Sequence, residues 1–98
     1  MFVVAVTLTL KEGAEAAFMP LMIENARLSR ETEVGCHLFD ICVGENETGA
    51  REVFLYEIYT DAAAFEAHLQ TRHYKSFDAA VSEMIATKVL KTYDEVIR

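Results

Sequence analysis

The sequence predicts one α+β domain, in which helices cover one side of a four-stranded antiparallel sheet. The chain has only 98 residues, a length typical of a single domain. Stretches with apolar residues at every second position alternate with stretches of helical spacing, and glycine or polar residues separate them. With 52% hydrophobic and 26% charged residues, the composition is that of a globular protein. We therefore expect one domain over residues 1–98.

The first two predicted elements are a strand and a helix. Residues 2–10 alternate with a period of two and are rich in β-branched side chains, a pattern typical of a strand. Over residues 14–32 the apolar spacing of three and four predicts a helix. Pro20 lies inside that stretch, so we expect either a kink there or a helix that starts late, near Met19.

The rest of the chain predicts two strands, two short helices and a last strand. Residues 36–43 and 53–59 are β-branched, aromatic and aliphatic, and the polar segment between them is short enough for an antiparallel hairpin. Asp61 is a candidate helix N-cap, and a break near Thr71 divides the helical region that follows. We expect the second short helix to carry one apolar stripe and residues 88–96 to form the last strand. The stripe consists of Phe77, Val81, Met84 and Ile85. The order β-α-β-β-α-β is the ferredoxin-like split β-α-β arrangement.

Charge and cysteine content exclude several classes of function. Nine basic and sixteen acidic residues give a net charge of −7, which disfavours nucleic acid and anionic membranes as partners. No signal peptide and no apolar stretch of roughly 20 residues is present, so we expect a cytoplasmic protein. Cys36 and Cys42 share a face of one predicted strand but are too far apart for a disulfide. A short chain this rich in apolar residues also favours a homo-oligomer.

Two polar residues lie on predicted apolar faces. Asn25 falls on the apolar stripe of the first helix, where its amide either bonds the neighbouring backbone or faces a ligand. Glu57 shares one face of the third strand with apolar and aromatic residues. Burial there would raise its pKa and make it a candidate acid or base, whereas an ion pair with Arg27, Arg30 or Lys88 would leave it a structural residue.

His68 and His73 flank the break between the two short helices. Imidazole is the commonest proton-transfer group in enzymes, so both are candidate catalytic residues. Their separation of five residues does not fit the helical i, i+4 pair of a metal site, and no third ligand is evident. The sequence therefore predicts no metal site. We expect His37 to have a structural role or to be exposed.

An ordered set of residues over nearly the whole chain resembles the antibiotic biosynthesis monooxygenase (ABM) family. The similarity is nearest to the small quinol monooxygenases and the autoinducer-2 processing isomerases. The set consists of the segment 24–31, Gly35-Cys36, Phe39-Asp40, the segment 54–59, Asp61, Ala64, His68, Thr71 and the segment 73–77.

The resemblance implies a protomer that pairs sheet to sheet into a dimeric α+β barrel, with a small pocket between sheet and helices. It implies oxidation of a small quinol or polyphenol by O₂ without flavin, haem or metal, so no cofactor is expected. In this interpretation His68, His73 and Asn25 are catalytic. The expected substrate-binding residues are Tyr59, Glu57, Arg30, Phe39 and Phe77.

Two other functions stay open at this stage. One is an isomerase of a small, phosphorylated hydroxyketone of the autoinducer-2 type, in which Arg30 or Arg72 would hold the anionic group. The other is a dimeric module that binds haem or another metabolite without turnover. The haem-degrading branch of the fold uses a tryptophan, and this chain has none.

Overall fold

The computed structural model, which describes residues 1–98, is a four-stranded antiparallel sheet with three helices on one face. The strand order is β2-β3-β1-β4, and each neighbouring pair is antiparallel. This confirms the predicted α+β, ferredoxin-like fold. The elements are β1 (Phe2–Leu10), α1 (Glu15–Thr32), β2 (Cys36–Glu45), β3 (Arg51–Tyr59), α2 (Ala62–Leu69), α3 (Arg72–Val81) and β4 (Ile85–Tyr93).

The core lies between the sheet and the helices. Alternation in β1 places four aliphatic side chains on the helix side, and helical spacing in α1 places Phe18, Met22 and Ala26 against them. Burying each large apolar side chain contributes about 1.5–3 kcal/mol, so this contact is a main source of stability. The four aliphatic side chains are Val4, Val6, Leu8 and Leu10.

Helix α1 is continuous through Pro20. It begins at Glu15, so the alternative of a late start near Met19 is wrong. Pro20 lies on the exposed side of the helix. Water can therefore bond the Ala16 carbonyl group that lacks its usual N–H partner, and the helix tolerates the proline.

The end of the chain differs from the prediction. Helix α3 ends at Val81, a 3₁₀ turn covers Ser82–Met84, and β4 begins at Ile85. The predicted helical stripe through Met84 and Ile85 and the predicted strand 88–96 are therefore wrong in their boundaries. The Lys11 backbone N–H donates to the Met84 carbonyl at 2.9 Å, which ties the turn to the end of β1 and starts the strand early.

A β-bulge at His37 changes which side chains of β2 face the helices. Cys36 pairs with Tyr59, but Leu38 pairs with the next residue, Ile58. An extra residue in one strand reverses the alternation on either side of it. The prediction that Cys36 and Cys42 share a face is therefore wrong: Cys36 is buried on the helix side and Cys42 is exposed on the other side, and both are free.

None of the helices combines the length and the apolar character that a membrane crossing requires.

Candidate active site

A cavity of about 50 Å³ lies between the sheet and the three helices, and 13 of the 18 residues around it are hydrophobic. Among these are Phe39 and Phe77, which the sequence predicted as substrate-binding residues. A few polar side chains interrupt the apolar wall, an arrangement typical of small-molecule sites. They are Asn25, Glu57, His68, Asp78 and Lys88.

Asn25 is the buried polar group without a partner. It lies on the core side of α1 with only 3% of its surface exposed, and its Oδ1 atom makes no hydrogen bond within the chain. A buried acceptor left unpaired costs about 1–3 kcal/mol. Of the two sequence interpretations, the structure therefore favours the ligand-facing one, because the amide oxygen is not satisfied by neighbouring backbone.

One carboxylate joins the two predicted histidines. Glu33 follows the last residue of α1, and its Oε2 atom lies 2.9 Å from His68 Nδ1 and 2.5 Å from His73 Nε2. The carboxylate thereby connects the ends of all three helices. The sequence prediction that no third ligand accompanies the histidines is wrong, because Glu33 lies close enough to form a His–His–carboxylate cluster.

Glu33 gave no signal in the sequence. It lies just beyond the helical periodicity of α1, and 35 and 40 residues separate it from its two partners. Only the packing of α2 and α3 on the end of α1 brings the three side chains together.

Local sequence features fix the two histidines in place. Asp61 caps α2 by accepting from the Ala64 N–H at 2.8 Å, as predicted. The Thr71 hydroxyl accepts from the Tyr74 N–H at 3.2 Å and donates to the His68 carbonyl at 2.7 Å, which sets the turn between α2 and α3.

Gly35 lets α2 lie directly on the start of β2. A Cβ atom at Gly35 would lie 2.6 Å from the Ala64 Cβ atom, closer than two carbons can approach. The glycine is therefore required for the helix position that brings His68 to Glu33.

The surroundings of His68 favour a neutral imidazole. Burial lowers the pKa of His68, and its partner Glu33 opposes that shift. The bond from Nδ1 to Glu33 places the ring proton on Nδ1. The Nε2 atom therefore keeps its lone pair, and it is the ring nitrogen available to a ligand in the cavity that His68 lines.

Glu57 and Tyr59 form a second polar pair. The Tyr59 hydroxyl donates to Glu57 Oε1 at 2.6 Å. Burial raises the pKa of Glu57 to about 7 and raises that of Tyr59 as well. None of the three cations considered for Glu57 forms an ion pair with it. Arg27 binds two glutamates of its own helix, and Arg30 donates to the Phe39 carbonyl at 3.1 Å. Lys88 forms no salt bridge.

The structure brings together some of the predicted site residues and separates others. Asn25, Glu57, His68, Phe39 and Phe77 all line the cavity. Tyr59 lies behind Glu57, and Arg30 is held at the β2 backbone.

His73 lies behind His68, with Nε2 bound to Glu33. It lines a separate groove between α1 and α3. Tyr74, Asp78 and Lys88 line the cavity but were not predicted as site residues, since on the sequence they look like ordinary exposed positions.

Together these features define a ferredoxin-like α+β protein with a cavity under its helices that is lined by apolar and titratable side chains. The sequence profile of the antibiotic biosynthesis monooxygenase family matches residues 1–80. The chain belongs to that family, which confirms the resemblance seen in the sequence. No curated protein sequence matches it.

Solved structures share the fold of this chain. A protein from Nitrosomonas europaea, provisionally named an antibiotic biosynthesis monooxygenase, is 26% identical with a TM-score of 0.88, over 99% of this chain and 100% of that one. Rv0793 from Mycobacterium tuberculosis is 22% identical with a TM-score of 0.84, over 99% and 96% of the two chains. A Caulobacter crescentus protein, provisionally named in the same way, is 23% identical with a TM-score of 0.81, over 98% and 90%.

Proposed function

We propose that this protein is a cofactor-independent monooxygenase that oxidises a small quinol or polyphenol with O₂. The observation that carries the proposal is the pairing, in one apolar cavity, of an oriented imidazole with an unpartnered amide oxygen. A phenolic hydroxyl close to His68 Nε2 can lose its proton to that nitrogen. A second hydroxyl can donate to Asn25 Oδ1, which has no partner inside the protein.

The substrate supplies the reducing power in this scheme. Proton transfer to His68 produces an electron-rich phenolate, and the Glu33 carboxylate stabilises the imidazolium that forms. The phenolate reacts with O₂. In the balanced reaction, quinol and O₂ give a hydroxyquinone and water, so one oxygen atom enters the product and the quinol provides all four electrons. The apolar wall excludes bulk water from the reactive anion.

The size of the cavity limits the substrate and its mode of entry. A cavity of about 150 Å³ is known to hold benzene, three times the 50 Å³ found here. The cavity therefore has room for O₂ or a water molecule but not for a ring. Substrate entry requires movement at the mouth of the cavity, and haem is far too large for it.

The isomerase alternative has one specific observation in its favour. Lys88 lines the cavity together with the acid–base candidates Glu57 and His68, and these are the groups that enolisation of a small anionic hydroxyketone needs. The two arginines expected to bind the anionic group of the substrate do not line this cavity. Arg30 donates to a backbone carbonyl, and Arg72 lines the groove between α1 and α3. Isomerisation consumes no O₂.

We also infer a homodimer that pairs the helix-free faces of two sheets. The register places a largely apolar set on that face, and Val89 and Tyr93 remain 63% and 44% exposed in the single chain. Covering them removes apolar surface from water. Sedimentation should give a dimer at micromolar concentration, and Val89→Glu should shift it to monomer. A wild-type monomer would contradict the inference.

A cytoplasmic location stays a prediction.

O₂ uptake separates the candidate functions. Chelator-treated protein is mixed with a panel of quinols and dihydroxyanthracene-type compounds in an oxygen-electrode cell, and a phosphorylated hydroxyketone is run in parallel. The proposal expects protein-dependent O₂ consumption with at least one phenolic compound. Turnover of the hydroxyketone with no O₂ consumed would favour the isomerase. Tight binding of a phenolic compound without turnover would indicate a binding module.

A further inference from the structure

We propose that Glu33, His68 and His73 form a binding site for a divalent transition-metal ion, with Zn²⁺ as the fitting example. The binding itself is independent of the proposed function. Its consequence, inhibition of the base His68, rests on that function.

The geometry of the cluster supports the site. One ligand atom from each of the three residues lies within 4.8 Å of the other two. In a tetrahedral zinc site the metal lies about 2.0–2.1 Å from each N or O ligand, which puts neighbouring ligand atoms about 3.3 Å apart. The distances of 2.9 and 2.5 Å from Glu33 Oε2 to the two nitrogens therefore need to open by less than about 1 Å to admit an ion.

The donor set is also appropriate. Two imidazoles and one carboxylate, with a position left open, are the ligands of many zinc and non-haem iron sites. Ser29 adds a hydroxyl 3.4 Å from His73 Nε2, close enough to bond a water molecule bound to the metal.

Burial and access are balanced in a way that suits an ion. The side chain of His68 is 3% exposed, while those of Glu33 and His73 are 11% and 14% exposed. The cluster therefore has one side in the core and one near the α1–α3 groove. Low polarity around the carboxylate strengthens its attraction to a dication. The net charge of −7 favours the approach of cations.

Metal binding would change His68 Nε2 in the cavity from a hydrogen-bond acceptor to a donor. The ion takes the lone pair of Nδ1, so the proton that Nδ1 donated to Glu33 leaves that atom. That proton goes to solvent and Nε2 takes up one from solvent, so the neutral imidazole bound to the metal through Nδ1 carries its single proton on Nε2. The nitrogen available to the substrate then donates instead of accepting, and it can no longer remove a phenolic proton.

Calorimetric titration of the metal-stripped protein with Zn²⁺ tests the site directly, and Co²⁺ absorption reports the coordination geometry. We expect one ion per chain and a tetrahedral Co²⁺ spectrum. Glu33→Gln and His73→Gln should each weaken binding at least about tenfold, because loss of a ligand exceeds the 10–100-fold effect of losing a supporting contact. Circular dichroism identifies a variant that fails to fold. If one of the two variants does not fold, the metal affinity of the other one tests the proposal.

Two matched controls distinguish this cluster from chance binding. His37→Gln and Cys42→Ser remove an exposed imidazole and an exposed thiol outside the cluster, and both should bind Zn²⁺ as the wild type does. Absence of saturable binding would overturn the proposal, as would binding that Glu33→Gln and His73→Gln leave unchanged.

The consequence is tested separately from the binding. If the protein consumes O₂ with a quinol, stoichiometric Zn²⁺ should abolish that activity and chelator should restore it. Binding without inhibition would refute only the inferred change of His68 Nε2 from acceptor to donor. If no quinol supports O₂ uptake under any condition, the proposed function fails while the titration result stands.

Discussion

Replacing Glu57 by glutamine should stabilise the protein, and more so as the pH rises. Glutamine has the same shape and keeps an oxygen that accepts from Tyr59, as Glu57 Oε1 does at 2.6 Å. It cannot ionise. The substitution therefore isolates the cost of placing a negative charge in the cavity under the helices.

The magnitude follows from the pKa of Glu57, which burial raises from 4.5 to about 7. Each tenfold change in proton affinity is worth 1.36 kcal/mol, so charged Glu57 costs the folded protein about 3 kcal/mol. Because the folded state holds the proton more tightly than the unfolded chain, stability from this group is complete below pH 4.5 and is lost as the pH rises to about 7.

Urea unfolding of wild type and Glu57→Gln at two pH values measures this effect. The sequence isoelectric point is about 4.8, and a protein with little net charge tends to precipitate. The acid measurement is therefore best made near pH 5.5, which is roughly 1.5 pH units below the folded-state pKa of Glu57. Between about pH 5.5 and 8.5, the difference in free energy of unfolding should move by about 2 kcal/mol in favour of glutamine. Protein concentration is held constant, because association also affects stability.

Comparison with the glutamine variant cancels the titration of groups that do not interact with Glu57. A stability difference that is equal at the two pH values would refute the assignment of a raised pKa to Glu57. A glutamine variant that loses stability relative to wild type at the higher pH would reverse the sign and refute the burial argument itself.

Three further predictions concern the site. His68→Gln should lower kcat by a factor of about 10² or more, while His37→Gln, outside the cavity, should leave kcat unchanged; equal kcat in both variants would exclude His68 as the base. Asn25→Leu should raise Tm, because it removes an unpaired buried oxygen that costs about 1–3 kcal/mol, yet lower kcat/KM, so unchanged turnover would refute the ligand-facing role. Gly35→Ala should destabilise by about 1–3 kcal/mol through its clash with Ala64, and adding Ala64→Gly should recover part of the loss in a double-mutant cycle.

The fold was largely predictable because its signals are local. Alternation over residues 2–10 and helical spacing after residue 14 are each set by short stretches of sequence, and so is the N-cap at Asp61. The errors fall where local pattern and tertiary contact disagree. The apolar stripe predicted for α3 continues to Met84 and Ile85, but α3 ends at Val81, and a backbone bond joins Met84 to Lys11 at the end of β1.

The candidate site was predictable only in part. Asn25, Glu57 and His68 stood out because each is a polar group on an apolar face or at a helix break. Glu33 could not be found, because its role depends on where three helix ends meet. The role of Tyr59 depends on its bond to Glu57, which residue type and spacing do not reveal.

Incorporation of labelled oxygen is the most direct test of the central claim. Chelator-treated protein is supplied with a quinol that it consumes, under O₂ enriched in oxygen-18. Mass spectrometry then measures the mass of the product. A monooxygenase that draws its electrons from the substrate should place one labelled atom in each product molecule and the other in water. Product without label, or equal turnover in the absence of O₂, would contradict the account.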